Sequence, residues 1–191
     1  NENDEMIKNS INSLSGKQIP FSLNKDQSYR FGLNETKLIK NNHEKFISLN
    51  KINLIGKHNY SNIIAAATTA HLLGVSDENI AEAICNFSPV PHRLEKFCLH
   101  EGIQFVNDSK ATNIDAVKSA LLSFNQPIIL IMGGYYKGGN FNDLLPHTRN
   151  IKTIITYGEA QDLINAALGN AVRLKSIDSL KDAAILSQKI A

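Results

Sequence analysis

Seven consecutive residues, Asn107-Asp108-Ser109-Lys110-Ala111-Thr112-Asn113, set amide, carboxylate, hydroxyl and amine groups directly after the apolar run Phe105-Val106. Side chains of these types can neutralise an anion and orient a nucleophile. Polar groups crowded at a strand end are also where an open α/β sheet holds its ligands. Thr112 or Asn113 is placed to cap a helix beginning near Ile114, and that helix start would present free backbone N–H groups to the same turn. A purely local reading accounts for the same residue types: Asp108, Ser109, Thr112 and Asn113 cap and turn the chain while Lys110 is solvated. Spacing alone leaves both readings open.

A second polar stretch, Gly133-Gly134-Tyr135-Tyr136-Lys137-Gly138-Gly139, again follows an apolar run, Ile128-Ile129-Leu130-Ile131-Met132. Glycines admit a ligand close to the backbone, and Lys137 offers a point charge to carboxylate or phosphate. The alternative is a flexible turn with a solvated lysine. The pattern is not that of a Walker-type phosphate loop. Arg93 follows Pro91-His92, and its forked guanidinium suits phosphate oxygens in an interdomain cleft, although an isolated arginine more commonly ends in a surface salt bridge. Nothing in the sequence pairs His92 with a nucleophile, and His71, inside a helical pattern, reads as structural.

The elements that must position these groups follow from periodicity. Tyr29 to Leu33 and Phe46 to Leu49 are candidate strands in an Asn- and Lys-rich first segment. Tyr60 to Leu73 reads as an alanine-rich helix with Asn59 at its start, and Ser76 caps a second helix that ends near Phe87. Ser88-Pro89-Val90-Pro91 resists helix and marks a linker, so the chain divides into residues 1–90 and 91–191. Beyond it, strand and helix alternate: Gln104 to Val106, a helix from Ile114 to Ser123, Ile128 to Met132, Thr153 to Thr156, a helix from Glu159 to Leu168, Val172 to Leu174, and a helix from Leu180 to Ile190. Alternation of this kind predicts an α/β fold, a mostly parallel sheet with helices on both faces.

Composition narrows the function. The chain has 191 residues, 42% of them hydrophobic, and a net charge of +2, too balanced for a nucleic-acid surface or a polybasic membrane anchor. Cys85 and Cys98 stand apart with no CxxC or Cys/His cluster, which predicts buried free thiols and a reducing, cytoplasmic setting. No run approaches the ~20 apolar residues of a membrane helix, and the polar start Asn1-Glu2-Asn3-Asp4-Glu5 is the opposite of a signal peptide. A start without methionine suggests that Asn1 is not the native N-terminus.

Four strings occur together in order: Gly56-Lys57-His58-Asn59-Tyr60-Ser61-Asn62, Pro91-His92-Arg93-Leu94-Glu95, Asn107 to Asn113, and Gly133-Gly134 with Lys137. In this the chain resembles the Mur ligases of peptidoglycan synthesis, and Asp108-Ser109-Lys110-Ala111-Thr112-Asn113 is the string that points to D-glutamate as the amino acid added. The resemblance implies the end of the family's central ATP-binding domain over residues 1–90 and most of its Rossmann-like C-terminal domain over 91–191. It implies ATP-dependent joining of D-glutamate to UDP-N-acetylmuramoyl-L-alanine through an acyl phosphate, by a cytoplasmic monomer acting on small molecules, with no nucleic acid and no membrane partner. Asn59, Asn62, Arg93 and Asp108 fall on family ATP-site positions. Lys110 falls near the transferring phosphoryl group, and Thr112 and Lys137 fall on positions that hold the D-glutamate carboxylates. His92 matches a position near the cleft with no role attached.

The family's phosphate loop, Mg2+ ligands and carbamylated lysine would lie before Asn1, and a Ser- and Phe-containing segment after Ala191. This stretch alone is therefore expected not to catalyse. Tyr135 and Tyr136 stand where relatives often carry smaller or acidic residues. A non-catalytic Rossmann-like binding module and a sister ligase adding another amino acid are the competing readings.

Overall fold

The computed structural model describes residues 5–13, 15–16, 18–23, 31–34, 37–40 and 44–191. The backbone divides into two compact units, Asn1–Pro89 and Val90–Ala191.

In the first unit a short helix, α1 (Glu5–Ser10), precedes an antiparallel meander of β1 (Phe31–Asn34), β2 (Lys37–Lys40) and β3 (Glu44–Ser48). Of the first sequence-predicted strand, Tyr29 and Arg30 lie outside the described residues. Helix α2 (Lys57–Leu72) starts a turn earlier than its apolar periodicity indicates, with Gly56 as N-cap, so Asn59 lies in the first turn rather than at the cap. Its buried stripe, Ile63, Ile64 and Ala67, packs with Phe31, Leu38 and Ile47 of the sheet and Ile80 of α3 (Asp77–Asn86). Ser76 caps α3 as expected, its Oγ accepting from Asn79 N at 3.3 Å. His71 is structural: its ring meets Phe31 edge-on and its Nδ1 lies 3.5 Å from Asp77.

The second unit begins with a hairpin of β4 (Glu95–His100) and β5 (Ile103–Asn107), joined through Glu101 and Gly102, both at positive φ as a two-residue hairpin loop of this hand requires. Helix α4 (Ile114–Leu121) follows, and then a three-stranded parallel sheet in the order β6 (Ile128–Gly133), β7 (Ile151–Tyr157), β8 (Leu174–Ser176). A 3-10 helix, Phe141–His147, joins β6 to β7, α5 (Gln161–Leu168) joins β7 to β8, and α6 (Leu180–Ile190) ends the chain.

Residues alternate faces along β7. Ile154, wholly buried, enters a core with Ile114 and Leu121 of α4, Leu144, and Ile164 and Leu168 of α5. Thr156, on that same face, donates to Asn165 of α5 at 3.0 Å. The neighbouring Ile155, equally buried, turns the other way, and α6, which buries Ala183, packs over β6 and β7. The α/β expectation therefore holds, with one difference: β5 does not join the parallel ladder but pairs antiparallel with β4. The cysteine expectation also needs correction. Both thiols are free, but only Cys85 is partly buried, because β4, which carries Cys98, lies on an open hairpin. No described helix is long and apolar enough to cross a membrane.

Candidate functional site

Two turns fifteen residues apart in sequence are fastened into one corner of the second unit. The first, 91–95, holds His92 at φ 67° and Leu94 at φ 43°, conformations that L-residues rarely adopt outside a structure that over-determines them. The second, 107–112, ends β5 and leads into α4. Lys110 N donates to His92 O at 3.1 Å, Leu94 N donates to Asp108 Oδ1 at 3.0 Å, and Asn107 Nδ2 and His92 Nδ1 are 2.8 Å apart. Within the first turn His92 N donates to Glu95 Oε2 at 2.8 Å and Arg93 N to Val90 O at 3.2 Å. Within the second, Ser109 N donates to Asn107 Oδ1 at 3.1 Å and Ala111 N to Asp108 O at 2.8 Å. The backbone strain is thus offset by donors and acceptors from across the corner.

Asn113, rather than Thr112, is the N-cap of α4, its Oδ1 accepting from Ala116 N at 2.8 Å. Thr112 therefore keeps its exposed hydroxyl free of that duty. The glycine-rich loop after β6 approaches the same helix start. A Cβ on Gly139 would lie 2.7 Å from Ile114 Cγ1, so only glycine allows this contact. Tyr136 is partly buried, donates its hydroxyl to Gly139 O at 2.7 Å and stacks near Phe141, whereas Tyr135 is 74% exposed. The bulky pair is accommodated by sending one ring inward and one outward.

The structure therefore brings Arg93, Asp108, Lys110 and Thr112 to one corner and places the Lys137 loop against the helix that starts there. Arg93, Lys110 and Lys137 are exposed, and among the described residues none of the three has an ion-pair partner, so the surface salt bridge ordinary for an isolated arginine is not formed. Asp108 is committed through Oδ1 to the Leu94 amide. Three cations, an amide-rich turn and a helix N-terminus make a surface suited to phosphate and carboxylate. Among the described residues no three of His, Cys, Asp and Glu converge into a group that could hold a metal.

In the first unit, Asn59 is partly buried and donates through Nδ2 to Ile55 O at 2.6 Å, which fixes the entry to α2; Asn62, one turn on, is exposed. Tyr60 beside them has its phenol pKa raised by burial. The sequence did not reveal the parts played by His92, Asn107 and Glu95. The only signal was a histidine next to a candidate arginine, and its partner is fifteen positions away.

The family model described as Mur ligase, glutamate ligase domain, matches residues 92–190. The chain belongs to the Mur ligase family. It is 43% identical over 144 residues to the UDP-N-acetylmuramoylalanine--D-glutamate ligase of Bacillus mycoides (strain KBAB4), covering 74% of this chain and 32% of that protein. It is 42% identical, with the same coverage, to the ligase of the same name from Bacillus thuringiensis (strain Al Hakam). The chain thus spans about a third of the length of the curated relatives it matches. Among solved structures, UDP-N-acetylmuramate-alanine ligase from Thermotoga maritima superposes with a TM-score of 0.58 at 16% identity, over 76% of this chain and 34% of that one. Folylpolyglutamate synthase from the same organism gives 0.55 at 21%, over 75% and 36%. These two establish the fold alone.

Proposed function

We propose that, in a chain of its relatives' full length, this sequence forms part of an ATP-dependent ligase joining D-glutamate to UDP-N-acetylmuramoyl-L-alanine in peptidoglycan precursor synthesis. The observation that carries the reading is the corner that binds Arg93, Asp108, Lys110 and Thr112 together, in a chain 43% identical to a protein named for that reaction.

The reaction has two displacements. An oxygen of the L-alanyl carboxylate bonds to the γ-phosphorus of ATP as the bond to ADP breaks; the D-glutamate amine then bonds to the acyl carbon, phosphate leaves and the amine loses a proton. Both steps need positioning and charge neutralisation rather than covalent work from the protein. Arg93 and Asp108 bind and orient ATP; Asn59 and Asn62 of the first unit are assigned the same ligand by their place in the family's motif. Lys110 neutralises the phosphoryl group in transfer and the acyl phosphate after it. Thr112 and Lys137 hold the D-glutamate carboxylates through a hydroxyl and an ammonium donor. Mg2+ accompanies ATP. Among the described residues no group of His, Cys, Asp and Glu suits it. Dependence on ATP places the reaction in the cytoplasm, where the enzyme acts as a monomer on small molecules.

The test is phosphate release from ATP by the full-length form with UDP-N-acetylmuramoyl-L-alanine and D-glutamate, L-glutamate, L-lysine or no amino acid. Release dependent on D-glutamate alone is expected. Release driven by another amino acid would move the chain to a sister activity, and none at all would favour a binding module without catalysis.

A further inference from the structure

We infer that His92 is a positioning residue for Lys110, acting as a neutral hydrogen-bond acceptor through Nδ1. The inference rests on the ligase reading above for the role of Lys110, but its geometry stands by itself. A backbone N–H can only donate, so the amide of Asn107 must turn Oδ1 toward Ser109 N, 3.1 Å away. That fixes Nδ2 against His92 Nδ1 at 2.8 Å, and because Nδ2 can only donate, Nδ1 must be the bare nitrogen of the ring. Glu95 Oε2, the one carboxylate oxygen within ion-pair range among the described residues, stands 3.7 Å from Nδ1, beyond hydrogen-bond distance, and accepts the His92 backbone N–H instead.

The same residue holds Lys110 through its carbonyl, which accepts the Lys110 N–H at 3.1 Å. Ring and carbonyl of His92 thus grip both ends of the stretch Asn107 to Lys110. This requires His92 at φ 67°, a conformation in which histidine is found more often than most residues. Loss of the ring contact removes one of the three bonds that tie this stretch to the first turn, leaving those from Lys110 N to His92 O and from Leu94 N to Asp108 Oδ1.

The variants are His92→Phe, which keeps the ring but has no acceptor, and Asn107→Leu, which removes the donor. His92→Asn places an amide oxygen where Nδ1 was and tolerates positive φ. In the 191-residue chain, amide exchange at Ser109 and Lys110 should quicken about tenfold in His92→Phe and Asn107→Leu and return toward the parent rate in His92→Asn. In the full-length form kcat should fall about tenfold in the first two, with KM for D-glutamate changed by less than about twofold, and recover in His92→Asn. The double variant should be no worse than the worse single one.

Unchanged exchange in His92→Phe would overturn the inference, as would His92→Asn behaving like His92→Phe. Faster exchange with undiminished kcat, while Lys110→Ala abolishes turnover, would refute positioning but leave the ligase reading intact. A harmless Lys110→Ala would remove the ligase role of Lys110 and this inference with it, and the exchange data would still report whether the bond exists.

Discussion

Gly133→Ala should cost the second unit more than Gly138→Ala, a methyl group added in the same glycine-rich loop where nothing stands near it. Gly133 is the last residue of β6 and pairs with Tyr157 across the parallel ladder. A Cβ there would fall inside the van der Waals envelope of Tyr157 O and lie 2.9 Å from both the carbonyl carbon and the amide nitrogen of that residue. Every offending atom is backbone, so no rotamer change relieves the clash and the strands must part. Overpacking of this kind costs about 1–3 kcal/mol. Parting the strands also weakens the bond from Gly134 N to Tyr157 O, now 3.0 Å, by about 1 kcal/mol. The sum, about 2–4 kcal/mol, should lower the melting temperature of a unit this size by roughly 10–25 °C.

The control is Gly138→Ala, where φ is 94° but nothing lies within 4 Å of the new methyl. It carries only the conformational cost, about 1–2 kcal/mol. Far-UV circular dichroism melts of the 191-residue chain, with amide exchange at Ile154 and Ile155 to assign the transition to this unit, make the comparison. A Gly133→Ala melt within about 5 °C of the parent, or no lower than that of Gly138→Ala, would refute the reasoning.

Asn113→Ala removes the α4 cap and should lower stability by about 1 kcal/mol in urea titrations, since one orphan N–H loses its acceptor. Lys110→Ala and Lys137→Ala in the full-length form should each reduce D-glutamate-dependent phosphate release by about 100-fold or more with unchanged melting, and near-normal turnover in both would sink the site assignment. Burial raises the Tyr60 phenol pKa, so the folded state holds its proton where the unfolded chain has begun to lose it. The stability this contributes is fully present below the unfolded value of about 10 and is lost as pH rises through the folded one. Tyr60→Phe should flatten alkaline unfolding of the first unit followed by circular dichroism, and an identical profile in parent and variant would count against it.

The parts of this fold legible from sequence are those where a local cause acts alone. Ser76 and Asn113 are caps because each offers a short acceptor just before an apolar stripe; Ser76 was visible as such, and Asn113 as one of two candidates with Thr112. The parallel sheet was visible because the strand-like runs Ile128 to Met132 and Thr153 to Thr156 alternate with helical patterns, and a crossover helix joins neighbouring parallel strands. What failed depended on partners elsewhere in the chain. Whether Gln104 to Val106 joins a sheet or folds back is decided by Glu95 to His100, a strand-like run around Cys98 that gives no sign of its partner, and by positive φ at Glu101 and Gly102. The start of α2 was misplaced because Lys57, His58 and Asn59 carry no apolar stripe; the glycine before them, not periodicity, sets the boundary. The candidate cations were legible as types, while the corner that unites them was not.

That corner bears on how an exposed cation can be useful in transfer chemistry. A solvated lysine on a loose loop would have to order both its side chain and its backbone when substrate arrives. Fixing the stretch Asn107 to Lys110 at that moment would cost on the order of 4–8 kcal/mol, more than most single charge contacts return in water. Here the bonds from Lys110 N, Leu94 N and Asn107 Nδ2 fix that backbone during folding, so that in the role proposed for Lys110 only side-chain freedom is left to be lost on binding. The strained φ values at His92 and Leu94 are then understandable as the geometry needed to aim a carbonyl at Lys110 and an amide at Asp108. An unstrained, extended run through 91–95 would direct neither group across the corner, and the ammonium of Lys110 would be as free in its backbone as in its rotamers.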